Sequence, residues 1–127
     1  MFAIKSEFDS LYHHFGGDDW KWFAAIAMHE SGENPFAIGD DGLAWGLFQM
    51  HPDFWRDHSP VIDATRRGDI FLQFCALRSF WSRYSARSVE ERLAIFNQGP
   101  TGARKHILAA DNYVAAVKAE YDKLDTP

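Results

Sequence analysis

The chain has only one cysteine, Cys75, so it cannot form an internal disulfide. Its fold must be held by packing, as in a protein made in a reducing compartment. Long apolar runs are also missing. The longest, Trp22 to Met28, falls well short of the roughly 20 residues that a membrane helix needs. The opening MFAIKSEFDSLYHHF has no stretch of signal-peptide length and carries Lys5, Glu7 and Asp9. Synthesis in the cytoplasm without a visible export address is the expectation. An excess of basic charge is lacking too. Lys and Arg number 13 against 18 Asp and Glu, a formal net charge of −5. That argues against nucleic acid as a partner, because a basic patch is its usual footprint. There is no repeat, low-complexity tract or linker, so residues 1–127 are expected to form one domain around one core.

What is present is mainly helical periodicity in a chain that is 46% apolar and 24% charged, the balance of a soluble globular protein. Aromatic residues make up 16%. Such rings stabilise small cores and also build sugar-binding clefts, so the count does not choose between the two. Ile4, Phe8, Leu11 and Phe15 lie on one helix face that Gly16-Gly17 ends. Asp18 or Asp19 is placed to cap a helix from Trp20 to about Glu30, apolar on most sides and therefore expected near the centre of the core. Gly32, Pro35, Gly39, Gly42 and Gly46 then punctuate a loop or short hairpin. A helical turn after Pro52, a long helix marked by Ile70, Phe74, Leu77, Trp81 and Tyr84, and one from Val89 to Phe96 closed by Gly99-Pro100 follow. A last helix is expected from about Ala103 to Leu124. The fold class is mostly α with one irregular segment that begins where Glu30 ends a helix.

Glu30 is the most telling residue. A carboxyl at the end of an apolar helix is half inside an apolar wall, and desolvation raises its pKa. The negative end of the helix dipole pushes the same way. A general acid that protonates a glycosidic oxygen near neutral pH needs that environment. Position alone reads equally well as a solvated Glu at a frayed helix end.

The surrounding residues separate these readings. His29-Glu30-Ser31-Gly32 leads to Asn34-Pro35, then Gly39-Asp40-Asp41-Gly42, then Gly46-Leu47-Phe48-Gln49-Met50. The run resembles the signature of the soluble lytic transglycosylases and the goose-type lysozymes. Ala94-Ile95-Phe96-Asn97-Gln98-Gly99 resembles that family's Ala-Tyr-Asn-Ala-Gly motif, and Tyr113-Val114 its Tyr-Val pair in the last helix. The resemblance covers about residues 24 to 117. It implies a two-lobed lysozyme-like fold with a short loop or β-hairpin lobe, a cleft at the end of the catalytic helix, and the glycan strands of peptidoglycan as substrate. It implies Glu30 as acid/base, Ser31, Gln49 and Asn97 in the cleft beside the reacting sugars, and Tyr113 close to Glu30. Phe96 stands where the family usually has Tyr, so that hydroxyl is lost. Trp45, beside the Gly-Leu-Phe-Gln run, is the indole best placed to stack on a sugar; Trp55 could also stack, and Trp81 reads as core. With a net charge of −5, the wall would have to be held by shape and hydrogen bonds.

The second carboxylate is open at this level. Lytic transglycosylases work with one Glu, and the sugar closes a 1,6-anhydro ring on itself. An inverting hydrolase needs a base roughly 6.5–9.5 Å from the acid. In the goose-type register the Asp of Gly-Asp-x-Gly falls on Asp40, and a further Asp falls on His51 and is not reproduced. Turn chemistry alone also explains Asp40 and Asp41, and Asp41 is expected to face solvent. The expectation is a hydrolase cleaving the β-1,4 bond between N-acetylmuramic acid and N-acetylglucosamine. The alternatives are a transglycosylase using the same Glu and a silent glycan-binding domain. A monomer without cofactor is expected, serving as a phage lysis protein, a virion component or a bacterial enzyme without its export segment.

Other features read blandly. His29-Glu30 lacks the His four residues on that a zinc motif requires; Glu33 is there. His13, His14, His51 and His58 show no ligand spacing and read as surface or capping residues, so no metal is expected. Cys75 reads as a core thiol, and Glu90-Glu91 as charge complement at a helix start.

Overall fold

The computed structural model describes residues 7–104 and 108–124. Ile4 lies outside them. The chain is mostly helical, with one two-stranded antiparallel sheet. In order it forms α1 (Asp9–Gly16), α2 (Trp20–Ser31), β1 (Ile38–Gly39), β2 (Ala44–Trp45), α3 (Pro52–His58), α4 (Ile70–Arg83), α5 (Val89–Arg104) and α6 (Leu108–Leu124). Short 3₁₀ turns cover Gly17–Asp19, Asp40–Gly42 and Ala64–Gly68. Among the described residues no helix is long and apolar enough to cross a membrane.

Helix α2 is the central element. Phe23, Ala24, Ala25, Ile26 and Ala27 are all buried, because three small alanines let neighbouring helices approach from several sides. It packs chiefly against α6 and α1; α5 packs on α6, and α4 packs on α1 and α3. Phe8, Tyr12 and Phe15 bury one face of α1 against Phe74 of α4, and Leu11 packs at the edge. Trp55 and Trp81 are core residues. Cys75 is half-buried against the core on α4, and burial pushes its thiol pKa up.

Two details of the helix ends differ from the sequence expectation. Asp19 makes no capping bond to α2; its carboxylate instead accepts the Trp81 indole N–H at 2.9 Å. A buried indole donor needs a partner, and this acceptor ties the start of α2 to α4. Gly99 breaks the backbone with φ +76, but helical geometry resumes through Pro100 to Arg104, because proline is accommodated in a first helical turn. At the other end of α5 the expectation holds. Ser88 and Glu91 cap each other's backbone N–H at 3.1 Å, and Glu90 reaches Lys118 of α6 at 2.9 Å.

Candidate active site

The segment between α2 and α3 is held by backbone-directed side chains. Gly32 ends α2 in the left-handed region at φ +61. Ser31 Oγ donates to the Leu47 carbonyl at 2.8 Å and accepts the Asn34 N–H at 3.1 Å. Asn34 in turn accepts the Phe36 N–H at 2.9 Å. So the Glu-Ser and Asn-Pro residues lock the helix end to the loop that follows, and Ser31 acts as a brace outside the cleft lining.

Gln73 of α4 fixes the other side of that loop. Its buried amide accepts the Leu47 N–H at 3.0 Å and donates to the Arg67 carbonyl at 2.8 Å. A Cβ at Gly46 would lie 2.6 Å from this amide, and Gly46 has φ +87, so only glycine fits. Gln49, itself at φ +51, donates from Nε2 to the carbonyls of Gly46 (3.0 Å) and Ala37 (3.1 Å). A Cβ at Gly39 would lie 2.5 Å from Gln49 Oε1. The Gly-Leu-Phe-Gln run is therefore a folding device that sets where Glu30 faces, as well as part of the cleft.

A cleft of about 790 Å³ opens beside Glu30. It brings together Glu30, Asp40, Gln49, Phe96 and Asn97 of the residues predicted from sequence. Burial raises the Glu30 pKa from 4.5 to about 7; the nearby Tyr113 hydroxyl acts against this by favouring the ionised carboxylate, and the Asp40 charge adds to the rise. Tyr113 is buried behind the cleft and lies against Glu30 without reaching full hydrogen-bond geometry to any partner among the described residues. Burial and the neighbouring Glu30 charge both push its own pKa up. Phe96 packs edge-on to Phe54 and Phe80, with centroids 5.2 and 5.5 Å away.

Asp40 lines the same cleft with φ +49, and its Oδ2 is 2.8 Å from His51 Nε2. This pair escapes sequence reasoning. His51 directly follows the Gln-Met of the loop, yet it meets Asp40 only because the Trp45–Met50 bridge folds the chain back. His58 and Arg83 also line the cleft. The two histidines, read as surface or capping residues, thus both belong to its wall. Asp41 is exposed, as expected. Among the described residues no three His, Cys, Asp or Glu side chains are grouped to hold a metal ion.

Trp45 lies outside the cleft lining. Its indole donates to the Gly42 carbonyl at 2.8 Å, and the Arg67 guanidinium stacks 4.2 Å above its ring. Arg67 continues inward to the carbonyls of Met50 (3.0 Å) and Leu43. Removing the ring exposes this buried network. Trp45→Ala should destabilise the protein by about 2 kcal/mol, enough to lower Tm by several degrees. An unchanged melting curve with weakened binding of chitin oligomers would return Trp45 to the substrate surface.

No protein-family model, no curated protein and no solved structure matches this chain.

Proposed function

We propose that the protein is a peptidoglycan muramidase, a glycoside hydrolase of the lysozyme type. One observation carries the reading: a carboxyl group with a pKa of about 7 faces an open cleft, with an Asp–His pair lining the same cleft. A binding module has no need of such a group. A carboxyl half protonated near neutral pH is what acid catalysis of glycoside cleavage requires. The two-lobed arrangement belongs to this proposal, with the loop around β1 and β2 as the small lobe, as does action on the bacterial wall as a monomeric phage lysis or virion protein.

In this mechanism Glu30 gives its proton to the leaving glycosidic oxygen as the C1–O bond breaks and an oxocarbenium-like centre develops. Asp40 takes a proton from a water on the opposite face of the sugar, and the water oxygen bonds to C1. With Nε2 protonated, His51 donates to Asp40 Oδ2, which orients the carboxylate and leaves Oδ1 for the water. A second reading keeps Glu30 and dispenses with Asp40. Its support is that Asp40 is 68% exposed while Glu30 is half-buried. The sugar's own 6-hydroxyl would then replace water, and the products would be 1,6-anhydro-muropeptides.

Turbidity loss of a purified cell-wall suspension tests the proposal, and an inert suspension would sink it. The pH profile adds a sharper check. The proton on Glu30 is lost as pH rises, so kcat/KM should fall along an alkaline limb centred near pH 7. Tyr113→Phe removes a group that favours the ionised carboxylate, so the limb should move to higher pH. Activity that keeps rising into strongly alkaline buffer would count against Glu30 as the acid.

A further inference from the structure

One part of the cleft lining differs from the acidic residues Glu30 and Asp40. Its floor is aromatic, made by Phe54, Phe80 and Phe96. His58 is wedged between Phe54 (centroids 4.6 Å) and Phe80 (5.3 Å), with Nδ1 buried and without a hydrogen-bond partner. Arg83, at the last turn of α4, lines the same cleft, close enough for its charge to act on His58.

The charges there are unevenly matched. Four carboxylates line the cleft, and three of them bond to side chains other than Arg83. Glu30 keeps its proton over half the time below about pH 7. Asp40 is bonded to His51. Asp53 and Asp57 both reach Arg56, at 3.5 and 3.3 Å. Arg83 is the one Lys or Arg in the lining, and no carboxylate among the described residues lies within ion-pair distance of it. Burial and the Arg83 charge both lower the His58 pKa, against a smaller opposing effect of Asp57, so the ring beside Arg83 is held toward its neutral form. The cleft thus presents a guanidinium fork beside an imidazole ring over an aromatic floor, with the buried Nδ1 turned into that floor's packing. That is a site for a carboxylate attached to an amide or ether arm.

On the reading that the substrate is peptidoglycan, this feature discriminates between its sugars. N-acetylglucosamine is uncharged. N-acetylmuramic acid carries a 3-O-lactyl arm that ends either in a free carboxylate or in a stem peptide with carboxylates of its own. We propose that Arg83 and His58 form a subsite that binds the carboxylate borne on the lactyl arm of the substrate.

Binding is measured by calorimetry in a Glu30→Gln background, which separates recognition from cleavage. The probes are glycan fragments with stem peptides, the same fragments stripped of peptide by an amidase, and chitin oligomers, which have no lactyl arm. Adding Arg83→Gln should weaken binding of at least one carboxylate-bearing probe about tenfold more than binding of chitin oligomers. A loss confined to stem-bearing fragments assigns the carboxylate to the peptide; a loss confined to stripped fragments assigns it to the lactyl arm itself. Arg83→Lys, which keeps the charge but not the fork, should fall between. Equal weakening on all three probes, or none, overturns the subsite. If wild-type protein cleaves no probe while this selective binding persists, the muramidase reading fails and the subsite stands.

Discussion

Glu30→Gln should lower the rate of wall lysis by at least about 10²–10⁴-fold while making the folded protein more stable at pH 8. Both effects have one cause. Gln matches the shape of Glu but cannot donate a proton to the leaving oxygen, so the acid contribution to the rate is lost. The stability effect follows from the raised pKa. A group whose pKa is higher in the folded state favours folding below the unfolded value, here about 4.5, and that contribution is lost as pH climbs through about 7. Above pH 7 the native protein must hold a desolvated negative charge at a helix C-terminus. Gln removes that charge, and the relief is roughly 1–3 kcal/mol at pH 8, read as a rise of several degrees in Tm. At pH 4 the two proteins should melt together. A folded Glu30→Gln variant with near wild-type lysis would show that another group is the acid. Unchanged melting at pH 8 would show that Glu30 is solvated.

Asp40→Asn should reduce hydrolysis about 100-fold and leave the melting temperature nearly unchanged, because the side chain is exposed. Asn keeps the size and one oxygen but is too weak a base to take a proton from water. The wild-type products should carry free reducing ends, one water heavier than anhydro-sugars by mass spectrometry. The residual activity of Asp40→Asn should have its alkaline limb displaced to lower pH, since the Asp40 charge is one cause of the raised Glu30 pKa. His51 supplies a further test of the pair. His51→Gln places an amide donor at similar reach and should retain most activity, whereas His51→Leu removes the donor and should lose much of it. If sacculi yield mainly anhydro-muropeptides, and Asp40→Asn lyses nearly as fast as wild type, the enzyme is a transglycosylase and Asp40 is a turn residue. Glu30 and the substrate would survive that result.

The amino-acid sequence by itself determined the helices, the central place of α2 and the position of Glu30. Those depend on local periodicity, on glycines that stop helices and on which residue comes last before the chain turns. The run of Phe23 to Ala27 reads as buried on all sides, and so it is. A raised pKa for Glu30 is also expected from its place at the end of an apolar helix, and burial is the main cause in the fold. Gly39 and Gly46 were visible as punctuation, but their partners were not. Gln49 stands ten residues from Gly39 in the chain and Gln73 stands 27 from Gly46. Nothing in a helical pattern shows that Gln73 points inward to receive the Leu47 N–H. The roles of Ser31 and Trp45 were decided the same way. The sequence places Ser31 beside the reacting sugars and the Trp45 ring face against one, whereas the fold directs the Ser31 hydroxyl and the Trp45 indole N–H to backbone carbonyls. The Asp40–His51 bond and the Arg83–His58 part of the cleft belong wholly to tertiary structure. They join side chains from separate elements, and which side chain faces which across a cleft is set by long-range packing, on which local propensity is silent.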